Sequence, residues 1–295
     1  MVFKNLNETV FLAEVSSNHN GDINRCKKII DSVADAGCHG IKFQLFKVSE
    51  LFSHEAIAFK PEIKDRVEWE LDPELIPFLS DYSHKKGLLF SCTPFYLEAV
   101  DILKPYVDFY KIASYELLWD DLFKKCGETG LPVVFSTGMS KEFEIQNALN
   151  ILNNSKCKEI IMLHCNSSYP TPIKDVNLNV IETFRNKFIP NVKYLDFGWS
   201  DHTVKDSVVL SSVLNYNSKL VEFHIDLEGD GYEFKSGHCW LPSQISRIIN
   251  CLKEIKLSKG NGKITPSESE IIERKWRADP VDGLRPLIKT RKIIK

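Results

Sequence analysis

Two histidines stand directly after apolar runs of the chain, where strands are predicted to end. The stretch DFGWSDHT carries Ser200, Asp201 and His202, and the stretch LVEFHID carries Glu222 and His224 in the corresponding place. An isolated histidine is usually a hydrogen-bonded core or loop residue. Two histidines at the ends of neighbouring strands instead indicate one shared divalent ion, and imidazole ligands suit Mn, Zn, Fe and Co alike. We expect Asp201 to orient its neighbours rather than to bind the ion.

Two lysines lie in runs that otherwise read as buried strands. Lys42 stands in GIKFQ and Lys111 in FYKIAS. A buried ammonium group needs a counter-charge, which is either a protein carboxylate or an anionic ligand. Two such lysines beside serine and threonine hydroxyls predict a site for a small ligand that carries phosphate and carboxylate groups.

Short apolar runs alternate with amphipathic stretches along the chain, which predicts eight strands that are each followed by a helix. The predicted strands are 10–15, 40–45, 88–92, 109–113, 133–136, 160–164, 194–198 and 220–224. The predicted helices are 22–36, 73–86, 96–104, 119–129, 141–154, 176–187, 205–216 and 243–258. Asp22 and Ser140 stand at predicted helix starts, and Gly37 and Gly87 at predicted helix ends.

Strands that are apolar on both faces and alternate with helices predict a parallel sheet. Eight repeats over about 250 residues predict an α/β fold that closes into a (β/α)8 TIM barrel. An open doubly wound sheet is the alternative, but no GxGxxG motif follows the first strand. We assign the barrel to residues 1–260 and a short, basic C-terminal extension to 261–295. Residues 46–71 are too long for a routine connection and form either a lid, which we favour, or a solvated excursion.

Polar side chains occur at all eight predicted strand ends, which is where enzymes with this barrel bind their substrates. Lys42 and Gln44 are two residues apart and therefore lie on the same side of their strand. The polar residues at the ends, in chain order, are Glu14, Lys42, Gln44, Thr93, Lys111, Ser114, Glu116, Ser136, Thr137, Ser167, Ser200, His202, Glu222 and His224.

The composition excludes several classes of partner. A hydrophobic content of 43% and a charged content of 26% are typical of a globular protein. A net charge of −2 provides no general attraction for nucleic acid or for an acidic membrane. The apolar runs are shorter than a membrane span and the N-terminus lacks a signal-peptide core, so we expect a cytoplasmic protein. The eight cysteines form no CxxC pair and are expected to be reduced and mostly buried.

Eight ordered motifs resemble the sialic acid synthase family: AEVSSNHNGD, GIKFQ, FSCTPF, YKIAS, FSTGM, HCNSSYPTP, WSDHT and VEFH. The resemblance covers about residues 10–260. Members of this family are phosphoenolpyruvate-dependent synthases of N-acetylneuraminate and related nonulosonic acids, and their fold is a (β/α)8 barrel. The antifreeze-like domain that many members carry at the C-terminus has no counterpart in residues 261–295. The resemblance therefore implies a carbohydrate-biosynthesis transferase that uses phosphoenolpyruvate and an amino sugar, and we expect a homodimer.

The resemblance also implies roles for individual residues. His202 and His224 would hold a divalent metal, typically Mn²⁺. Glu14 matches the active-site glutamate of the family, and Glu222 would lie near the metal. The residues expected to act in catalysis are Glu14, Lys42, Lys111 and Glu222. The residues expected to bind the substrates are Gln44, Thr93, Ser114, Ser136, Ser167, Tyr169 and Ser200.

The chain departs from the family pattern at two places in the site. Ser167 stands where members often have asparagine. After the last strand, EGDGYEFKSGHCWLP replaces a Gly-Pro-Asp-His-like stretch whose aspartate contacts the sugar. Asp230 and Glu233 are the candidate replacements, and the acceptor sugar stays open. The role of the basic extension also stays open: Arg274, Arg277 or Arg285 would recognise the acceptor, or the extension would seal the bottom of the barrel.

Two other functions fit the same fold. One is a Schiff-base aldolase with Lys111 as the nucleophile, which borohydride would trap and EDTA would not inhibit. The other is an inactive barrel that serves as a binding protein. The presence of Glu14, Lys111 and both histidines argues against the inactive barrel.

Overall fold

A computed structural model describes residues 1–188, 193–229 and 231–293 of the chain. Within these ranges, nine parallel strands form one sheet in sequential order, and the first strand also pairs with the eighth. The strands are β1 (Val10–Glu14), β2 (Gly40–Leu45), β3 (Leu89–Pro94), β4 (Phe109–Ile112), β5 (Val133–Ser136), β6 (Glu159–Cys165), β7 (Tyr194–Asp201), β8 (Leu220–Ile225) and β9 (Cys239–Trp240).

Helices connect consecutive strands. The α-helices are α1 (Ile23–Asp35), α2 (Val48–Leu51), α3 (His54–Phe59), α4 (Ile76–Lys85), α5 (Leu97–Leu103), α6 (Asp120–Glu128), α7 (Glu142–Asn153), α8 (Asn179–Lys187), α9 (Asp206–Leu214), α10 (Tyr232–Lys235), α11 (Pro242–Ser258) and α12 (Ile288–Arg291). Short 3-10 helices are Pro61–Trp69, Pro73–Leu75, Ser114–Glu116, Ile173–Asp175, Glu268–Glu270 and Glu273–Trp276.

The closed sheet with helices between its strands confirms the predicted (β/α)8 TIM barrel. All eight predicted strands are present, and β9 is an addition that the sequence did not predict. β9 pairs with the C-terminal end of β8, where His224 is level with Cys239 and Ile225 with Trp240. A strand of two residues has no measurable period, so only the pairing partner reveals it.

The barrel interior has an apolar lower layer and a polar upper layer. Val10, Leu12, Phe109, Val134 and Leu220 belong to one buried cluster. Phe3, in the segment before β1, joins this cluster with its ring 5.0 Å from that of Phe109 and closes the N-terminal end of the barrel. Since side chains alternate along a strand, residues two positions apart face the same interior. The residues two positions after Leu12, Phe109, Val134 and Leu220 are polar: Glu14, Lys111, Ser136 and Glu222.

The helix ends follow the sequence signals at Asp22 and Gly37 but not at Ser140. Asp22 caps α1 by accepting a hydrogen bond from the backbone of Asn24. Gly37 follows α1 with a φ of +84°, a conformation that glycine adopts without a steric penalty. The prediction of Ser140 as the cap of α7 is wrong: the position belongs to Lys141, whose backbone N–H donates to Glu144 at 2.6 Å.

Residues 46–71, the predicted lid, contain α2, α3 and the 3-10 helix Pro61–Trp69. The ring of Trp69 lies 5.8 Å from that of Tyr232 in α10. This helix belongs to the segment that follows the C-terminal end of β8. The segment therefore lies at the end of the barrel where a lid would act.

The chain separates into two compact units, Met1–Leu252 and Lys253–Lys295. In the second unit, Arg291 donates to both carboxylate oxygens of Asp282 and links α12 to the preceding turn. The predicted boundary at residue 260 stays a prediction. All eight cysteines are free and seven are buried. Among the described residues, no helix has both the length and the apolar character needed to cross a membrane.

Candidate active site at the barrel mouth

Lys42 connects the first three strands at the barrel mouth. The register of β1 and β2 places Glu14 level with Lys42, and Lys42 Nζ contacts Glu14 Oε2. The same ammonium group donates to Thr93 Oγ1 at 3.0 Å. Burial lowers the pKa of Lys42 to about 8, against the opposing effect of the Glu222 carboxylate. A cation with two fixed partners is thus held at the centre of the mouth.

Lys111 and Glu222 form a second buried pair across the barrel. Lys111 Nζ lies 3.4 Å from Glu222 Oε2 and also donates to the Ile112 carbonyl at 3.3 Å. Ser200, which the register of β7 and β8 places level with Glu222, donates to Glu222 Oε1 at 3.5 Å. Although burial opposes ionisation, the charges of Lys111 and Lys42 hold the pKa of Glu222 below its usual value.

Glu14 also organises the turn after β1. Its Oε1 accepts hydrogen bonds from the Ser16 backbone at 2.7 Å and from Gln44 Nε2 at 3.2 Å. Ser16 has a φ of +50°, a conformation that is uncommon for residues other than glycine, and the carboxylate stabilises it. The three predicted site residues Glu14, Lys42 and Gln44 are therefore connected by direct contacts.

Serine hydroxyls gather where β4, β5 and β6 end. Ser114 Oγ accepts a hydrogen bond from the Gly138 backbone at 3.0 Å and lies 3.1 Å from Cys165 Sγ. Ser136 Oγ and Ser167 Oγ are buried and have no hydrogen-bond partner within the described ranges. Buried polar atoms are rarely left unpaired, so these hydroxyls are suited to bind a ligand.

The two predicted metal ligands lie near each other with a nitrogen available on each ring. Their ring centroids are 5.5 Å apart. His202 Nδ1 lies 2.8 Å from the Asn166 carbonyl, which can only accept, and His224 Nδ1 lies 3.1 Å from Glu233 Oε2. Each Nδ1 therefore carries the proton and each Nε2 keeps its lone pair, as a metal ligand requires. Burial lowers the pKa of His202 to about 3, so this ring is neutral at physiological pH.

A second set of donor atoms surrounds His224. Single donor atoms of His224, Glu233, His238 and Cys239 all lie within 4.8 Å of one another. Nitrogen, oxygen and sulfur donors fit a borderline divalent cation better than a hard one. The residues at the mouth can therefore hold a divalent metal, as the resemblance implies, but these donors do not select Mn²⁺.

The amino-acid sequence is similar to those of known synthases. The profile of the NeuB family matches residues 29–264, which is most of the chain. The chain belongs to the NeuB family. An uncharacterized protein of Methanocaldococcus jannaschii is 35% identical over 267 residues, which cover 89% of this chain and 75% of that protein. The N,N'-diacetyllegionaminic acid synthase of Campylobacter jejuni is 31% identical, over 90% of this chain and 81% of that enzyme.

A solved structure of a NeuB-type enzyme has the same fold. The crystal structure of an N-acetylneuraminic acid synthetase from Leptospira borgpetersenii, in complex with citrate, has a TM-score of 0.78 at 29% identity. The likeness covers 92% of this chain and 94% of that one. These comparisons confirm the resemblance and the predicted enzyme class, a phosphoenolpyruvate-dependent, carbon–carbon bond-forming synthase.

Tyr169 of this NeuB chain, a predicted sugar-binding residue, lies among the histidines. Its ring centroid is 4.1 Å from that of His202, 6.0 Å from that of His224 and 5.1 Å from that of His238. The side chain is 40% exposed. It can thus contact a substrate on one side and cover the imidazoles on the other.

Asp230 and Glu233 are the two candidates for the sugar contact of the family, and the structure describes one of them. Asp230 lies outside the described residues. Glu233 is buried, and its Oε1 accepts from Ser17 Oγ at 2.7 Å while its Oε2 faces His224. Against the effect of burial, the bonds from His224 and His238 hold the pKa of Glu233 well below its usual value. Both carboxylate oxygens are therefore occupied by protein groups.

Asp201 has the orienting environment expected for it. Its two oxygens accept hydrogen bonds from Trp199 Nε1, Trp240 Nε1, Thr203 Oγ1 and the Val204 backbone, at 2.7 to 3.1 Å. Four donors fill this carboxylate, so it holds the end of β7 in place next to His202.

Glu116 and His238 lie at the mouth, although the sequence patterns predicted no role for either residue. Glu116 is a polar residue after β4, and it is buried with an Oε2 that has no hydrogen-bond partner in the described part of the chain. Burial raises its pKa to about 7, against the effect of Lys111. His238 was not recognised because it lies 14 residues after His224 in an irregular loop. The motif GHCW contains two adjacent metal-competent side chains, which is the signal that would have found it.

Proposed function

We propose that this NeuB protein condenses phosphoenolpyruvate with the aldehyde of an N-acyl amino sugar and releases inorganic phosphate. The product is a sialic-acid-like 3-deoxy-2-keto acid. The observation that carries this proposal is the presence of two buried lysines, Lys42 and Lys111, at one barrel mouth, beside serine hydroxyls that have no hydrogen-bond partner among the described residues. Phosphoenolpyruvate is a small, highly charged anion, and such an arrangement suits its phosphate and carboxylate groups.

The anion is proposed to lie between the two buried ion pairs. Lys42 and Lys111 supply positive charge. Hydroxyl groups complete the contacts, and the residues proposed for them are Thr93, Ser114, Ser136, Ser167 and Ser200. Because the site is largely buried, these charges act in a medium of low dielectric constant and are fixed before the reaction begins.

The proposed reaction forms one carbon–carbon bond, and at C2 it exchanges the carbon–oxygen bond to phosphate for one to the oxygen of water. C3 of phosphoenolpyruvate attacks the aldehyde carbon, and water adds to C2 as positive charge develops there. The resulting tetrahedral adduct loses phosphate by C–O cleavage and becomes the keto acid. Glu14 is proposed to hold the proton that moves between the water and the sugar hydroxyl, and Glu222 to balance the charge of Lys111. Gln44 and Tyr169 are proposed to position the sugar. Holding it next to phosphoenolpyruvate would raise the rate of the reaction.

A divalent metal, for which we propose Mn²⁺, would be held by His202 and His224. When bound, it would supply Lewis-acid polarisation of the aldehyde oxygen. Both rings are prepared for it by the acceptors that hold their Nδ1 atoms. Burial lowers the pKa of His202 to about 3, which leaves the lone pair of this ring available for the metal.

The acceptor is proposed to be an N-acyl amino sugar. Two similar proteins bear the names of N,N'-diacetyllegionaminic acid synthase and N-acetylneuraminic acid synthetase, and both products are N-acylated. The two names differ in the number of N-acetyl groups, and a third relative is named for a phosphorylated product. The panel therefore contains singly and doubly N-acylated hexoses, with and without a phosphate group.

The proposal is tested by phosphate release from phosphoenolpyruvate with Mn²⁺ across this panel. Release that requires both a sugar and a metal, and that EDTA abolishes, supports the synthase. Failure of every sugar contradicts it. The alternative is tested by treating the protein with pyruvate and borohydride. A covalent adduct on Lys111 together with turnover in EDTA indicates a Schiff-base aldolase.

A further inference from the structure

The loop between β8 and β9 brings a third histidine to the metal site. His238 immediately precedes β9, and its ring centroid lies 4.9 Å from that of His224. The pairing of β9 with β8 fixes this position, because it places Cys239 level with His224. His238 is only 7% exposed.

One nitrogen of His238 is buried without a hydrogen bond. His238 Nδ1 has no partner among the described residues, whereas Nε2 lies 3.7 Å from Glu233 Oε2. A carboxylate favours a proton on the nitrogen that faces it, so Nε2 carries the proton and Nδ1 keeps the lone pair. A buried lone pair without a partner is costly unless a ligand satisfies it.

Glu233 faces His224 in the same way. Its Oε2 lies 3.1 Å from His224 Nδ1, and the two rings thus present lone pairs on the nitrogens that point away from the carboxylate. Glu233 is itself fixed, since Ser17 donates to its Oε1 at 2.7 Å and Asn18 Nδ2 lies 3.5 Å from its Oε2. One carboxylate therefore controls the proton positions of two imidazoles.

His224 is spaced from His202 and from His238 as two ligands of one ion would be. With metal–nitrogen bonds of about 2.1 Å, two imidazoles on one ion have centroids about 4.7 to 5.7 Å apart at bond angles of about 90 to 120°. The observed separations are 5.5 Å between His202 and His224 and 4.9 Å between His224 and His238. Tyr169 lies beside all three rings and shields them from solvent.

We propose that His238 is a third imidazole ligand of the divalent ion, bound through Nδ1, and that Glu233 is a positioning residue for His224 and His238. This inference rests on the metal dependence of the proposed function. It assigns to Glu233 a role at the metal instead of a sugar contact. Carboxylates that hold metal-binding histidines typically change metal affinity by about 10- to 100-fold when they are removed.

The test measures Mn²⁺ binding to EDTA-treated protein by titration calorimetry, without any substrate. His238→Ala and His238→Gln are expected to raise the dissociation constant by about 100-fold, and Glu233→Gln by about 10-fold or more. The controls are His54→Gln, an exposed histidine of α3, and Glu228→Gln, an exposed carboxylate of the same loop. Both controls are expected to bind Mn²⁺ as the unaltered protein does. Circular dichroism establishes that each variant is folded.

X-ray absorption spectroscopy of the Mn²⁺-loaded, unaltered protein tests the inference without any substitution. Three imidazole ligands support it. Two imidazoles, or a sulfur ligand from Cys239, overturn it while the proposed function stands. A different result, in which the unaltered protein binds no Mn²⁺ and turns over phosphoenolpyruvate in EDTA, contradicts the metal dependence itself and the inference with it.

Discussion

The ammonium group of Lys111 lies 3.4 Å from the carboxylate of Glu222, and both side chains are almost completely buried. Each charge has lost most of its hydration and depends on the other. A buried pair adds little net stability compared with apolar residues of the same size, but the loss of one partner is costly. Stability alone therefore does not explain the pair, whereas the proposed anion site does, with Glu222 as the counter-charge beside Lys111.

Lys111→Met is expected to lower the free energy of unfolding by about 3 kcal/mol, because it leaves the Glu222 carboxylate buried without its cation. It is also expected to weaken phosphoenolpyruvate binding by about 100-fold, which corresponds to the loss of a charge-assisted hydrogen bond. Urea denaturation and calorimetry measure the two effects. In the double variant Lys111→Met/Glu222→Leu, stability is expected to recover while binding stays weak. Equal stability of the single and double variants would show that the two charges do not interact.

Loss of the contact between Lys42 and Thr93 is expected to weaken phosphoenolpyruvate binding less than Lys111→Met does. Thr93→Val keeps the shape of the side chain and removes the oxygen that accepts from Lys42 Nζ at 3.0 Å. The dissociation constant of phosphoenolpyruvate is expected to rise about tenfold, as for a hydrogen bond to a charged group of about 1.5 kcal/mol. Ser91→Ala is the matched control, because Ser91 lies two residues earlier on β3 and donates to the Phe109 carbonyl instead. If both variants bind equally weakly, the effect comes from the strand and not from the Lys42 contact.

Glu116 predicts a specific dependence of stability on pH. Its pKa in the folded protein is about 7, above the ordinary value of 4.5, so between these values the folded state binds a proton that the unfolded state has lost. The contribution of Glu116 to stability is therefore complete below about pH 4.5 and is lost as the pH rises to 7. Glu116→Gln, which resembles the neutral acid, removes this loss.

The measurement compares urea denaturation of the Glu116→Gln variant and the unaltered protein at pH 5 and pH 8. Relative to the unaltered protein, the variant is expected to be about 1 to 3 kcal/mol more stable at pH 8 than it is at pH 5. Other titrating groups cancel in this comparison. A difference that is independent of pH would mean that Glu116 is ionised at both values.

The sequence predicted the parts of this structure that depend on local pattern. The alternation along β2 is sufficient to place Lys42 and Gln44 on one side of the strand, and the barrel then brings Lys42 next to Glu14. The same reasoning brings His202 and His224 to neighbouring strand ends. Position within a regular element determines these relationships, so an amino-acid sequence can reveal them.

The relationships that the sequence did not predict depend on irregular loops. Glu233 reaches His224 because the loop after β8 folds back and β9 adds to the sheet. Glu116 is buried because a short 3-10 helix follows β4. Neither segment has a hydrophobic period, and the contact of Glu233 with Ser17 joins residues 216 positions apart. Tertiary packing decides such contacts, and local propensity carries no information about them.

A substitution at Gly138 tests whether the hydroxyls of Ser114 and Ser167 bind phosphoenolpyruvate, because an added side chain would displace them. A Cβ atom at this position would lie 2.2 Å from Ser167 Oγ, 2.9 Å from Ser114 Oγ and 3.0 Å from Cys165 Sγ. Gly138→Ala must therefore displace the hydroxyls that are proposed to bind phosphoenolpyruvate. Overpacking of this kind typically costs about 1–3 kcal/mol of stability. The variant is expected to lose that much stability and also to raise the KM for phosphoenolpyruvate by about tenfold, or about 1.4 kcal/mol.

Gly127→Ala separates the two effects, because it creates a similar clash away from the mouth. Its Cβ would lie 2.4 Å from Ser155 Oγ, next to α6. Thermal denaturation is expected to show a loss in both variants, whereas a phosphate-release assay is expected to show a raised KM only for Gly138→Ala. An unchanged KM in Gly138→Ala would exclude the hydroxyls of Ser114 and Ser167 from phosphoenolpyruvate binding. A raised KM in both variants would indicate that general destabilisation, and not the position of the hydroxyls, controls substrate binding.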